Sequence, residues 1–289
     1  MGHELMFKIR PMRREDIPFA IKLSNQEKWG ISRDDFERLL NLASRGCFLA
    51  YSGGRKLGLA TTTSHGRTVA WIGNVVVDKS CRGRRIGAGL VEHAVGYLLK
   101  SRVKRIALYC FNENVQFYKN LGFVKDARFA RLKRKARPSS LRNAGHKNPH
   151  APSIGRILSA DRKAFGADRS KLIHLLLRNR VGWYVGAEHG VASTSFLFVK
   201  QFADMCEFGP WVCVNPIKGE PRELLETALS KAPRRPVEMS CLLSHHPEIV
   251  LLQKNSFQIT NEGYRMWFGK RHRIGDDRAQ YALGFLDKG

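Results

Sequence analysis

Between Cys81 and Gly89 the sequence CRGRRIGAG sets three arginines among three glycines. Glycine is a poor former of helix and strand and leaves backbone N–H groups bare, so this stretch reads as a loop. From Ile86 onward, Leu90, Val91, Ala94, Val95 and Leu98 follow helical spacing, so the loop feeds a helix N-terminus. Upstream, TVAWIGNVVVD (68–78) is β-branched and almost wholly apolar, the pattern of a buried strand. A strand, a Gly/Arg turn and a helix start bring together converging N–H donors, the positive end of a helix dipole and fork-shaped guanidinium groups. That is a cradle for an anion, and the ligand it implies carries phosphate. Two common phosphate patterns do not fit. The loop that closes on Lys followed by Ser or Thr fails at Leu90. The dinucleotide pattern fails on its glycine spacing and on the missing acidic residue at the end of the next strand.

The segment does resemble the acyl-CoA pyrophosphate loop of the GNAT superfamily of N-acetyltransferases, whose pattern is Gln or Arg, two residues, Gly, one residue, then Gly or Ala. Arg82 and Gly87 match its ends, and Arg85 stands where the inner Gly is usual. A second hallmark resembles NENVQFYKNLGF, where Phe117 and Tyr118 form the aromatic-Tyr pair and Gly122 and Phe123 follow it. Family members often carry an Asn seven residues before the Tyr; here that place is Phe111, and Asn112 sits one position later. The order of elements agrees. FKIRPMRREDIPFAIKL reads as strand, turn and amphipathic helix, and Ser32 with Asp35 offers a capping box ahead of Phe36, Leu39 and Leu40. CFLAYSGGRKLGLATTTSHG reads as a hairpin turning at Ser52 to Lys56, leading into the strand at Trp71 to Val77, the helix at 86–100 and the strand RIALYCF. The resemblance implies an α/β (α+β) GNAT fold built on a mixed sheet.

By that resemblance the co-substrate is acetyl-CoA, no metal takes part, and an acceptor amine attacks the thioester directly. Backbone groups of Val75, Val76 and Val77 would lie along the cofactor, with the Val76 N–H polarising the thioester carbonyl. Arg82, Gly83, Arg84, Arg85, Ile86, Gly87, Ala88 and Gly89 would hold the pyrophosphate, and Asn112 and Tyr118 would add contacts. Tyr118 would protonate the departing thiolate, a task that suits a phenol because it stays protonated at neutral pH. His65, Glu27 and Asp78 are the candidates for the general base by segment, with a water relay as the alternative. Trp29, Trp71 and Tyr281 are expected near the amine pocket.

The 289 residues with 43% hydrophobic content fill one large core or two ordinary ones. No apolar run approaches the roughly 18 residues that span a bilayer, and no charged-then-apolar leader opens the chain, so the expectation is a cytoplasmic protein without a membrane partner. The six cysteines, Cys47, Cys81, Cys110, Cys206, Cys213 and Cys241, have no CxxC spacing and read as free thiols with no structural zinc.

Composition divides the chain into a first domain at 1–136, a basic linker at 137–152 and a second domain at 153–289. Residues 128–147 hold eight Lys or Arg and no acid, and Pro149 and Pro152 follow. The second half faintly repeats the first. VGWYVGAEHGVASTSFLFV resembles the hairpin and EFGPWVCVNPIKGEPRELLETAL resembles strand, loop and helix. VLLQKNSF lies over QFYKNLGF so that Phe257 meets Phe123 and Leu252 falls on Tyr118. The loop becomes NPIKGEP, with no Arg, so this copy lacks the phosphate-binding and thiolate-protonating residues. The resemblance is therefore to a tandem GNAT protein whose second domain is degenerate, with YALGFLDKG (281–289) expected to return as the terminal strand of the first domain's sheet.

The net charge of +25 exceeds what CoA requires. Residues 1–150 carry 30 Lys or Arg against 11 Asp or Glu, and residues 151–289 carry 20 against 14. A basic background accounts for this, as does a nucleic-acid or other polyanionic partner held by Arg131, Lys133, Arg134, Lys135 and Arg137 and by the surface at Lys100 to Arg105. The alternative to an enzyme is a nucleic-acid-binding or regulatory protein on the same scaffold, in which Tyr118 is dispensable and the basic run is essential.

Overall fold

In the computed structural model, residues 6–136, 152–178, 182–190, 193–202, 204–244 and 246–289 are described. The first half runs β1 (Lys8–Pro11), α1 (Ile17–Gln26), α2 (Arg33–Leu42), β2 (Cys47–Ser52), β3 (Arg55–His65), β4 (Val69–Val77), α3 (Ile86–Lys100), β5 (Ile106–Phe111), α4 (Val115–Asn120) and β6 (Phe123–Arg134). The second half runs α5 (Ile154–Phe165), α6 (Ser170–Arg178), β7 (Gly182–His189), β8 (Ser193–Gln201), β9 (Cys206–Val214), α7 (Glu220–Lys231), β10 (Val237–Leu242), α8 (His246–Lys254), β11 (Gln258–Phe268) and β12 (Gln280–Ala282).

Local chemistry explains the boundaries near the site. The Ser32 hydroxyl accepts from the Asp35 N–H at 3.2 Å, and the Asp35 carboxylate accepts from the Ser32 N–H at 2.9 Å, so the capping box read from the sequence starts α2. The hairpin between β2 and β3 turns on Gly53 and Gly54, at φ of 52° and 77°, where a side chain would strain the backbone.

The strands form one mixed sheet in the order β1-β2-β3-β4-β5-β11-β6-β10-β9-β8-β7, with β12 beside β9. The two halves therefore exchange strands. β11 of the second half lies antiparallel between β5 and β6, and β6 of the first half lies antiparallel between β11 and β10. This corrects one expectation: the strand that completes the first half's sheet is β11, not 281–289. The reason is burial on both faces. In β11, Met266 packs into the cluster under α3 and Trp267 into the cluster on the opposite face, both fully buried. In 281–289 glycines and charged residues interrupt any such pattern, and after β12 this segment instead crosses the face of β4. Residues 137–151 of the expected linker lie outside the described residues.

Leu90, Val91, Ala94 and Leu98 bury one face of α3 against Ala70 and Ile72 of β4 and Leu108 of β5. On the other face of the first half's sheet, Ile17, Leu23, Phe36 and Leu39 bring α1 and α2 onto Leu59 and Val76. A third cluster joins the halves through Trp71, Ala107, Phe165 and Trp267. The Trp71 and Trp267 rings meet edge to face at 5.9 Å. Burying such a side chain is worth roughly 2–3 kcal/mol, so this cluster alone opposes separation of the halves.

Candidate acyl-CoA site

β4 and β5 are paired only at Ala70 with Ile106 and at Trp71 with Ala107, and then they diverge. The gap between them is the first feature of the site. A bulge in β4 is the second. Leu59 pairs with Val76, and Thr61 pairs with Gly73, so β4 carries one extra residue against β3. Asn74 absorbs it at φ 50°, in the left-handed region.

The bulge decides which amides face the gap. Ala70 N–H donates toward β5, to Arg105 O at 2.9 Å, so before the bulge the even-numbered residues of β4 point that way. Asp78 N–H donates to Leu57 O at 2.8 Å, and with Leu59 opposite Val76, strand alternation turns the Val76 amide to β3 as well. Val75 and Val77 therefore direct their N–H groups to the gap. The expected donor, Val76, is corrected: its amide belongs to the β3 ladder, and the extra residue at Asn74 shifts the phase by one.

The loop after β4 is fixed by Asp78, whose carboxylate accepts from the Ser80 N–H at 3.0 Å; hydrogen bonds from Ser80 hold this carboxyl below its ordinary range. Gly83 adopts φ 77° with open space where a side chain would stand. Arg85 adopts φ 56°, ψ 7° as the N-cap of α3, which explains why glycine is usual at its place in the resembling family. The first intrahelical bond here runs from Gly89 N–H to Arg85 O at 2.9 Å, leaving the amides of Ile86, Gly87 and Ala88 without helical partners. Ile86 and Ala88 bury their side chains, and Gly87 packs beside Phe117 and Val77. Gly89 does not belong to the cradle. Its amide is spent in the helix, and a Cβ there would meet the Phe7 ring at 2.7 Å. Arg82, Arg84 and Arg85 are exposed. Arg82 reaches back to Val77 O at 3.2 Å and pairs with Glu27, and Arg85 lies 3.6 Å from Glu92. Bare amides, a left-handed turn and three guanidinium groups fit a pyrophosphate.

Tyr118 lies on the α3 side of the gap, with its ring against Phe117 and Phe123 at 5.0 and 5.9 Å. Burial pushes its phenol well above the ordinary range, and the Cys110 thiol on β5 adds a smaller push. It holds its proton at any physiological pH. Asn112 is exposed at the start of the turn before α4 and accepts the Val115 N–H on its backbone oxygen.

The three candidate bases are engaged elsewhere. Glu27 holds Arg82, Asp78 holds Ser80, and the buried His65 donates from Nε2 to Lys288 O at 2.7 Å. Burial lowers the His65 pKa to about 4, only partly offset by that bond, so its ring is neutral. The expected pocket aromatics also divide. Trp29 is exposed in the turn two residues after Glu27, beside the loop. Trp71 is not a pocket wall: it is 1% exposed and covered by Phe165 and Gly289. Tyr281 lies tilted against Trp211 at 5.2 Å, packed on the second half's core, because β12 pairs with β9.

Two residues at the gap escaped the sequence reading. Asn74 donates its side-chain amide to Thr61 Oγ1 and to Asp287 Oδ2, both at 3.0 Å. The polar Asn inside an otherwise apolar strand was the signal for the bulge; nothing local marked Asp287.

In the second half the corresponding loop is closed by its own carboxylate. Glu220, 2% exposed at the start of α7, accepts from the Ile217 N–H at 3.3 Å and lies 3.2 Å from His189 Nε2. Leu252, in the place of Tyr118, is fully buried in the core. The basic run on β6 is likewise occupied. Glu238 takes Arg131 at 2.9 Å and Lys133 at 3.1 Å, and Arg134 donates to Asn255 O at 3.0 Å. Lys135 is exposed, and Arg137 lies outside the described residues. Among the described residues of the run, Arg131, Lys133 and Arg134 thus meet partners from the neighbouring strand β10 and from the turn after α8, while Lys133 and Lys135 keep exposure to solvent. Among the described residues no helix is long and apolar enough to cross a membrane.

Comparison with known proteins agrees with this geometry. Residues 12–123 match the model of the acetyltransferase (GNAT) family, and residues 157–282 match that of an acetyltransferase (GNAT) domain. A soybean (Glycine max) histone acetyltransferase TAP1 is 36% identical over 72 residues, 25% of this chain and 31% of its own length. N-alpha-acetyltransferase 30 of Dictyostelium discoideum is 30% identical over 91 residues, 29% of this chain and 49% of its own. The chain thus spans about a third to a half of the length of these curated relatives. A solved structure of a putative acetyltransferase from Pyrococcus horikoshii shares the fold over 100% of this chain and 99% of its own, with a TM-score of 0.78 and 19% identity. A tandem GNAT protein from the clavulanic acid biosynthesis pathway aligns over 93% of this chain and 100% of its own, with a TM-score of 0.66 and 14% identity. With a GNAT model matched in each half, and tandem GNAT architecture across both, the chain belongs to the GNAT acetyltransferase family.

Proposed function

We propose that the chain is an acetyl-CoA-dependent N-acetyltransferase whose chemistry resides in the first half. The observation that carries this reading is the convergence, around one gap, of the open amides of Val75 and Val77, the α3 cradle and the protonated Tyr118. The cradle amides of Ile86, Gly87 and Ala88, with Arg82, Arg84 and Arg85, bind the pyrophosphate. Val75 N–H, next to the bulge, polarises the thioester carbonyl, a contact commonly worth about 3 kcal/mol of barrier. The amine nitrogen attacks the carbonyl carbon, the C–N bond forms and the C–S bond breaks. Tyr118 gives its proton to the departing sulfur, and the proton that the nitrogen sheds as the amide forms restores the phenol through water. The acceptor is a primary amine. The second half, its cradle closed by Glu220, acts as a wall.

The test is acetyl transfer followed by mass spectrometry across a panel of primary amines. Tyr118→Phe is expected to lower kcat by about 10²-fold or more while leaving acetyl-CoA affinity unchanged. Full activity in that variant would contradict the role of Tyr118.

A further inference from the structure

We propose that Asp287, carried on the tail of the second half, is the base that takes the proton of the acceptor amine at the first half's site; this rests on the acetyltransferase reading above.

Side chains of β4 alternate between two faces. Ala70 and Ile72 point to the α3 cluster, whereas Trp71 and Gly73 point to the opposite face, where residues 283–289 lie. The approach is close: a Cβ on Gly73 would stand 2.6 Å from Asp287 Cα. Gly289 lies in the same way over Trp71.

Both halves fix this tail. His65 donates to Lys288 O at 2.7 Å from β3 of the first half. From the second half, Lys200 donates to Gly284 O at 2.6 Å and Arg169 to Gly289 O at 2.8 Å. Arg169 is itself buried and held by Asp161 at 2.6 Å. So many buried donors on seven residues give Asp287 one position.

That position is beside the bulge. Asp287 Oδ2 accepts from Asn74 Nδ2 at 3.0 Å and from Lys288 Nζ at 2.6 Å. Among the described residues Oδ1 has no hydrogen-bond partner, and the side chain keeps 20% of its exposure. The carboxylate thus offers one open oxygen while its other is held by Asn74, the residue that precedes Val75 in β4. Tyr118 stands on the α3 face of the same gap and Asp287 on the other. An amine arriving from the tail's face as an ammonium ion gives one proton to Asp287 and attacks the carbonyl carbon as a neutral nucleophile. The C–N bond forms, the C–S bond breaks as Tyr118 protonates the sulfur, and the second proton shed by the nitrogen as it becomes the amide returns through water to the Tyr118 oxygen. One proton is taken on one face and one is delivered on the other.

The test compares two small amines at neutral pH: ethylamine, which is an ammonium ion there, and hydroxylamine, which is already neutral. CoA release from acetyl-CoA is followed in wild type, Asp287→Asn and Asp287→Glu. Asn keeps an oxygen for Asn74 but cannot take a proton. The expected result is a loss of about 10²-fold or more with ethylamine, a change within about threefold with hydroxylamine, and partial recovery in Asp287→Glu. Equal losses with both amines make Asp287 a latch and overturn the proposal, and so does no loss with either. If wild type releases CoA with neither amine, the acetyltransferase reading falls together with it, a result distinct from the other two.

Discussion

Asn74 and Asp287 stand 213 positions apart in the chain and 3.0 Å apart in the fold, one at the bulge of the first half's central strand, the other on the tail of the second half. This contact makes the site a property of both halves, although the cradle and Tyr118 belong to one. It also accounts for Gly73, which brings the tail against the strand.

Gly73→Ala is therefore expected to push the tail away. The added methyl would meet Asp287 backbone atoms at 2.6–2.7 Å, which flexible side-chain motion cannot relieve. Overpacking of this kind costs about 1–3 kcal/mol, measurable by urea denaturation. Acetyl-CoA binding should persist, because the cradle is remote from the clash, while acetyl transfer falls. Unchanged stability and transfer would show that the tail does not hold this position.

His65 gives a pH signature. Its pKa is lowered from 6.5 to about 4 by burial, so the folded protein excludes a proton that the unfolded chain accepts. The stability this neutral ring contributes is complete above about pH 6.5 and is lost as the pH falls to about 4, a difference of roughly 3 kcal/mol. Asp16, held low by Arg10 and Lys56 against the cost of burial, acts only at more acidic pH, so the two effects separate. Urea unfolding of wild type and His65→Gln across this window is the measurement. The variant should show a flatter profile; identical profiles would contradict the assignment.

Arg85 holds a left-handed conformation that costs a side-chain-bearing residue about 1–2 kcal/mol, partly offset in glycine by about 0.5–1 kcal/mol of chain entropy. Its exposed pair with Glu92 adds little. Arg85→Gly is expected to raise stability by about 0.5–1 kcal/mol in urea denaturation. A destabilised variant would mean that the guanidinium contributes more to the fold than its contacts indicate.

What could be read from the sequence was what is local. The loop, its helix, the capping box at Ser32, the hairpin at Gly53–Gly54 and the aromatic-Tyr pair depend on neighbours within a few residues, and periodicity and turn chemistry expose them. The failures share one cause. The phase shift that turns Val76 away from the gap needs the pairing of β3 with β4. The insertion of β11 needs a partner more than a hundred residues away. Trp71 read as a pocket residue because its burial under Phe165 and Gly289 comes from the second half. Asp287 was invisible for the same reason: only the fold sets it beside Asn74.

The measurement that bears most directly on the account is calorimetric titration of acetyl-CoA into the nucleic-acid-free protein, beside an Arg82→Ala, Arg84→Ala double variant. Saturable binding near one per chain, lost or strongly weakened in the variant, is expected, because the second half's cradle is closed by Glu220. Absence of binding at millimolar acetyl-CoA, or binding that survives in the double variant, would contradict it.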